Sequence, residues 1–265
     1  MTRVRLGAVS YLNTRPLVEG LDPARFEVRF DVPARCAALL HAGQIDAGVV
    51  PSIEYARGQG QYVIVPGVAI ASEGPVASVA VFSSRPLGQV RSVALDTSSR
   101  TSVALFKVLC HERFGIAPEF VQDGPDLDRM LARCDAALLI GDPALWADHA
   151  SRGVEKIDLG EQWTAHTGLP FVWAFWAGRP GAIGSREAVD LARARDRGRE
   201  STDRIGREYA PGDPARAALA ARYLRENVHF DLGPRHEAAL ARFYASAERL
   251  GLIEQAPPLR FVALD

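Results

Sequence analysis

Leu6-Gly-Ala-Val-Ser-Tyr-Leu-Asn-Thr-Arg-Pro-Leu17 joins a short apolar run to a cluster of polar side chains, after which Pro16 opens a second apolar segment. The pattern predicts a buried strand, a loop and then a helix. Ligands of open parallel sheets sit at such loops, because they follow the carboxyl ends of the strands and the next helix begins there with unpaired N–H groups. Ser10, Tyr11, Asn13 and Thr14 stand on that rim. The design returns at Ser92-Val-Ala-Leu-Asp-Thr-Ser-Ser-Arg-Thr-Ser-Val-Ala-Leu105, and the rest of the chain can be arranged around two such turns facing each other.

Working outward, Phe26 to Phe30 alternates like a half-buried strand, Pro33 starts a short helix closed by Gly43, and Ile45 to Val50 is an apolar strand ending at Pro51-Ser52-Ile53-Glu54. A helix follows, then strands at Tyr62 to Val65 and Val76 to Ser83. This alternation predicts a parallel sheet covered on both faces. Ser84-Arg-Pro-Leu-Gly88 has the punctuation of a crossing into a second lobe. There, strands at 92–95, 119–121 and 136–140 enclose helices at 101–113 and 126–132. An internal echo supports related lobes: Asp46 and Asp135, each ahead of an apolar strand, stand 89 positions apart, and Ser10 and Asp96 stand 86 apart. Gly168 to Ala177 crosses back, and helices at 185–209, from Asp213-Pro214 and from Gly233-Pro234 finish the chain.

The expected architecture is α/β and two-lobed, and it resembles the type 2 periplasmic-binding-protein-like fold. Each lobe is a mainly parallel sheet covered by helices, the two are hinged by two crossings, and a helical C-terminal segment follows. Residues 1–86 and 175–265 are expected to form lobe one and 87–174 lobe two.

Composition narrows the function. A net charge of −1 provides no field for nucleic acid or an anionic membrane. Cys36, Cys110 and Cys134 are odd in number and lack metal-ligand spacing, so they read as reduced, buried thiols. No apolar run approaches the ~20 residues that span a bilayer. With strand-like sequence starting at Val4 there is no room for a leader, so a chain starting naturally at Met1 is expected in the cytoplasm.

The rim carries hydroxyls, amides and helix starts, without a Gly-rich phosphate loop, a His-Glu-x-x-His or a nucleophile elbow. Such a cleft suits a small organic anion, with Thr97 to Ser102 the best carboxylate cradle. Bland duties are open beside the functional ones. Ser98 or Ser99 can cap the helix from Thr101, Asp142 before Pro143 has the form of an N-cap, and Glu54 sits where first-turn acids are favoured. Arg15 can be solvated or can pair with a carboxylate, and Trp173, Phe175 and Trp176 read as core. Asn13 is different, because a loop amide between a buried strand and a helix has few structural reasons to be Asn.

Ser10-Tyr-Leu-Asn-Thr-Arg-Pro-Leu17, Val50-Pro-Ser-Ile-Glu-Tyr55, Ser92 to Ser102, Leu139-Ile-Gly-Asp142 and Thr167-Gly-Leu-Pro-Phe171 together resemble the chorismate dehydratases of the futalosine route to menaquinone. The match runs in order to Arg249-Leu-Gly-Leu-Ile253, and the first loop differs from that of the sister dihydroxynaphthoate synthase. The resemblance implies a carbon–oxygen lyase that dehydrates chorismate to 3-[(1-carboxyvinyl)oxy]benzoate with no metal or organic cofactor. In that family the substrate's own enolpyruvyl carboxylate has been proposed to take the proton. On this reading Asn13 is catalytic and orients the reacting ring substituents. Ser10, Ser52 and Ser78 donate from lobe one, and Thr97, Ser98 and Ser99 hold a carboxylate from lobe two. Tyr11, Thr14, Arg15, Thr101, Asp142 and Gly168 complete the expected substrate-binding set.

The expected partner is therefore a small-molecule dianion, chorismate, with no nucleic acid and no membrane; a homodimer is compatible with the sequence. Three rivals use the same fold differently. A solute-binding protein would require export, an effector-sensing module would require a helix-turn-helix segment, and 1,4-dihydroxy-6-naphthoate synthase would act on cyclic dehypoxanthinyl futalosine.

Overall fold

The computed structural model describes residues 3–58 and 61–265. Its strands are β1 (Val4–Val9), β2 (Phe26–Asp31), β3 (Ala47–Pro51), β4 (Val63–Ser72), β5 (Val79–Ser83), β6 (Ser92–Asp96), β7 (Glu119–Asp123), β8 (Ala136–Ile140), β9 (Glu155–Asp158) and β10 (Phe171–Gly178). The helices are α1 (Pro33–His41), α2 (Ser52–Arg57), α3 (Thr101–Leu109), α4 (Leu127–Arg133), α5 (Gly141–Leu145), α6 (Leu159–Thr167), α7 (Ser185–Glu200), α8 (Thr202–Tyr209), α9 (Pro214–Glu226) and α10 (Pro234–Arg249).

Two five-stranded sheets carry the molecule, in the orders β2-β1-β3-β10-β4 and β7-β6-β8-β5-β9. Their central strands are buried along their whole length, Ala47 to Pro51 in one and Ala136 to Ile140 in the other. That is why both segments are unbroken apolar runs rather than alternating ones. In each sheet four strands run one way, and the fourth in order, β10 or β5, runs against its neighbours. Each opposed strand is the one delivered by a crossing from the other lobe.

The orders superpose strand for strand, β1 with β6, β2 with β7 and β3 with β8, and the echo of Asp46 and Asp135 acquires a cause. Asp46 accepts the Arg5 backbone N–H at 2.9 Å, and Asp135 accepts that of Arg91 at 2.9 Å. Both carboxylates tie the entrance of a central strand to its neighbour, a structural duty.

Several segments differ from the sequence reading. The strand at 79–83 pairs with β8 and β9, so it hydrogen-bonds in the second sheet, and the chain changes sheets at 73–78, ahead of the expected 84–88. The crossing has its own punctuation at Gly74-Pro75, but the apolar strand after it gives no sign of which sheet it joins. The crossing passes through Ala77, whose φ of +62° is strained for a residue with a Cβ. It is held there by its N–H on Asp158 and its carbonyl on Lys156 Nζ at 2.7 Å. All of β10 lies in the first sheet, from Phe171 on. β9 and α6 were not anticipated, and the helix expected over 185–209 divides at Ser201. The segment from Leu12 to Val18 is a 3-10 helix, with Pro16 inside it. One apolar core runs through both sheets, and a smaller one around Phe82, Met130 and Leu139 lies on the far side of the second.

Candidate functional site

The carboxyl ends of β1, β3, β6 and β8 converge on one cleft between the lobes. Tyr11 and Asn13 enter it from the first lobe, Ser78 from the crossing, and Ser99, Arg100, Thr101 and Ser102 from the start of α3 in the second. The two turns of the quoted stretches thus share a cavity. Its remaining wall is apolar, with Val9, Ile70, Val76, Ile140 and Trp173 among its members.

The lobes meet directly around this space. The Tyr11 hydroxyl lies 3.1 Å from Ser98 Oγ, and the Leu12 N–H donates to Asp142 Oδ1 at 3.1 Å. Asp142 Oδ2 accepts the Tyr209 hydroxyl, which also reaches the Ser10 carbonyl. The Ile53 N–H donates to Thr101 Oγ1 at 3.2 Å. Gly141 packs against the ring of Tyr11 with a φ of +61°, and any side chain there would collide with that ring.

Burial sets the protonation states. It pushes the Tyr11 phenol up to about 12, so this hydroxyl stays neutral. It also raises the Asp142 and Asp96 carboxyls, outweighing the hydrogen bonds that Asp142 accepts from Tyr209 and Leu12 and that Asp96 accepts from Ser98. Asp96 Oδ1 takes the Ser98 N–H at 2.9 Å and its hydroxyl at 2.7 Å, which shapes the turn ahead of α3. Ser99 Oγ is buried, lines the cavity and has no hydrogen-bond partner among the described residues. Arg100 is exposed and is the one charged side chain among the described residues lining the cavity; its guanidinium makes no ion pair or hydrogen bond with the described residues.

Of the residues expected at the site, Asn13, Tyr11, Ser78, Ser99 and Thr101 line the cavity, and Ser98 lies one bond behind Tyr11. The others have different surroundings. Ser10 is engaged through its carbonyl, and Thr14 is fully buried with its hydroxyl 3.4 Å from Asn13 Oδ1. Arg15 stacks on Phe30 and Tyr209, 4.5 and 5.4 Å from their ring centres. Ser52 Oγ donates to the Val172 carbonyl at 2.8 Å. Thr97 is exposed, Asp142 joins the lobes, and Gly168 ends α6 with a φ of +69°.

The sequence reading missed Arg100, the Trp173 wall and two tyrosines of the helical tail. Tyr209 reaches Asp142 as described. Tyr223 is buried, its hydroxyl 2.7 Å from Ser78 Oγ and close to the Asn13 amide. Arg100 was legible as the cation between Ser99 and Thr101 at a helix start. Among the described residues no group of three or more His, Cys, Asp or Glu side chains is placed to hold a metal ion, and no helix is long and apolar enough to cross a membrane.

Comparison with known proteins adds to this geometry. A family model described as menaquinone biosynthesis matches residues 4–249. A Thermus thermophilus chorismate dehydratase is 33% identical over 93% of this chain and 95% of its own. Among solved structures, a protein from Archaeoglobus fulgidus superposes with a TM-score of 0.74 at 18% identity, covering 95% of this chain and 98% of that one. A Candida albicans protein described as having the generic periplasmic-binding-protein fold superposes with a TM-score of 0.71 at 13% identity, over 100% of this chain and 99% of that one. Those two likenesses concern the fold.

Proposed function

Since the chain belongs to the menaquinone-biosynthesis family, with a chorismate dehydratase as a full-length relative, we propose that it is a chorismate dehydratase and that the cleft between its lobes is where chorismate loses water. The proposed product is 3-[(1-carboxyvinyl)oxy]benzoate. The observation that carries this reading is the make-up of the cavity: neutral donors from both lobes, one unpaired cation, and no carboxylate or imidazole among its described lining residues.

The reaction needs little more. The C3 proton leaves, its electron pair becomes the C3–C4 double bond, and the C4 hydroxyl departs with its bonding pair and takes up a proton as water. A dianion becomes a dianion, and the ring becomes aromatic, which supplies much of the driving force. With no carboxylate or imidazole among the described lining residues to serve as base, the proposed acceptor of the proton is the substrate's own enolpyruvyl carboxylate, held beside C3 where an intramolecular transfer has a high effective concentration. The protein's part is to hold a carboxylate, exclude water and donate hydrogen bonds to the departing oxygen. Ser99, Arg100 and the first turn of α3 are suited to the carboxylate. Asn13 and Ser78 are suited to the hydroxyl.

Purified protein incubated with chorismate should yield a species lighter by one water with an aromatic absorption spectrum. Intact chorismate bound without turnover would support the solute-binding alternative and overturn the proposal. Conversion of cyclic dehypoxanthinyl futalosine in its place would assign the chain to the sister reaction.

A further inference from the structure

Asn13 and Ser78 come from unconnected segments, a loop after β1 and the crossing into β5, yet both meet one fully buried side chain. Tyr223, on α9, is 2% exposed, with its hydroxyl 2.7 Å from Ser78 Oγ and close to the Asn13 amide. We propose that Tyr223 is a positioning residue that fixes which atoms of Asn13 and Ser78 face the substrate, an inference that rests on the dehydratase reading.

The polarity of the network follows from counting protons. Thr14 Oγ1 lies 3.4 Å from Asn13 Oδ1 and donates to it, so the amide end that meets Tyr223 is Nδ2, an N–H donor. In the proposed network the phenol accepts from Asn13 and gives its own one proton to Ser78 Oγ, 2.7 Å away. Ser78 is left with its hydroxyl proton, and Asn13 with its second N–H, both directed to the cavity that these residues line. The phenol's neutrality is assured, because complete burial pushes its pKa far up. Two donors are thereby presented where the C4 oxygen acquires negative charge. Without the Tyr223 hydroxyl the amide can turn over and the serine hydroxyl can rotate, and either motion offers an acceptor to a departing anion.

Tyr223→Phe removes one atom and keeps the ring. With chorismate as substrate, kcat should fall about 10- to 100-fold, the scale of a misplaced catalytic group, while KM changes less than about threefold. Tyr244→Phe is the control: Tyr244 is as deeply buried, but its hydroxyl donates to the Ser52 carbonyl at 2.7 Å, so this variant should lose stability and keep kcat. In an Asn13→Ala/Ser78→Ala background, Tyr223→Phe should cost less than about twofold more. Equal losses of kcat in the two tyrosine variants would overturn the proposal. A readout independent of turnover separates its failure from that of the dehydratase reading. In 15N-labelled protein the Asn13 side-chain amide pair, assigned by its loss in Asn13→Ala, should shift on Tyr223→Phe, and an unmoved pair refutes the relay even if chorismate proves not to be the substrate. Should Tyr223→Phe fail to fold, Ser78→Ala takes its place: it removes the acceptor of the phenol, the same amide pair should move, and an unmoved pair is again the refuting result.

Discussion

Glu112→Gln tests how the second lobe is fastened to the helical tail. Glu112 follows α3 and accepts from Arg242 at 2.7 Å and Arg249 at 2.6 Å, both on α10, with His166 Nε2 at 3.3 Å. Burial acts to raise its carboxyl, but the hydrogen bonds from Arg242, Ser246, Arg249 and His166 outweigh this and hold it at about 2, against an ordinary 4.5. That gap corresponds to at most about 3.4 kcal/mol. The arginine side chains are 37% and 58% exposed, so solvent screening reduces it to about 1–2 kcal/mol. The folded value lies below the unfolded one, so the stabilisation is complete above about pH 4.5, falls by more than half near pH 3 and is gone below about pH 2. Thermal unfolding followed by circular dichroism at pH 7 should show the variant melting about 2–8 °C below the parent, with the difference shrinking steeply towards pH 3. A variant that melts with the parent at pH 7, or a difference that does not change with pH, would refute the argument. Since α3 presents Ser102 to the cavity at one end and is pinned by Glu112 just beyond the other, kcat should be retained where both proteins are folded.

The remaining predictions concern the cleft. Asn13→Ala should lower kcat with chorismate about 10²- to 10³-fold while product affinity, measured by calorimetry, changes less than about tenfold; equal changes would make Asn13 a binding residue only. Arg100→Gln should raise KM about 10- to 100-fold with a much smaller effect on kcat, the worth of one charge-assisted contact, and an unchanged KM would remove Arg100 from the carboxylate site. Gly141→Ala sets a methyl group against the Tyr11 ring at a position with positive φ, so the lobes should no longer close fully. X-ray scattering should report a larger radius of gyration and kcat/KM should drop at least about tenfold; a scattering curve and activity like the parent's would show that the two surfaces yield.

The positions of most strands and helices were legible because burial on both faces leaves an unbroken apolar run and each turn leaves its own punctuation. What was not legible is which sheet a run joins. Val79 to Ser83 is as apolar as any first-lobe strand, and nothing in its five residues says that it will pair with β8 rather than β3. Pairing is a property of two segments, and the partner residues of the second lie 53 to 61 positions further on. The site was legible where polar residues interrupt the apolar pattern, as at Tyr11, Asn13, Ser99 and Thr101, because the interruption itself requires a reason. It was not legible where a functional group rides on a residue that also fits the core. Trp173 and Tyr223 satisfy the demand for buried bulk, so their further contacts, with the cavity and with Ser78, leave no trace in hydrophobic periodicity. Asp142 shows a duty that local sequence does not reveal. Its place at a helix start offered a cap or a ligand contact, and in the structure its carboxylate joins the Leu12 N–H to Tyr209 across the cleft.

Duplication explains the scaffold, and the departures from it explain the chemistry. Asp46 and Asp135 do the same work at equivalent places, and the two sheets repeat strand for strand. The loops that follow the equivalent strands β1 and β6 do not repeat. One carries Tyr11 and Asn13, neutral and backed by the tyrosines of the tail; the other carries Ser99 and Arg100, a bare hydroxyl and a bare cation at the head of a helix. A cleft with one charged wall and one neutral, hydrogen-bonding wall orients a substrate that is itself asymmetric. On the proposed dehydratase reading, one carboxylate is drawn to the side of α3 and the hydroxyl that must leave is carried to the side of Asn13. Two identical loops would bind such a molecule in either sense and would position the departing oxygen in only one of them. The lobes therefore have to close on unlike faces, and substitutions that make the faces alike should damage turnover more than affinity.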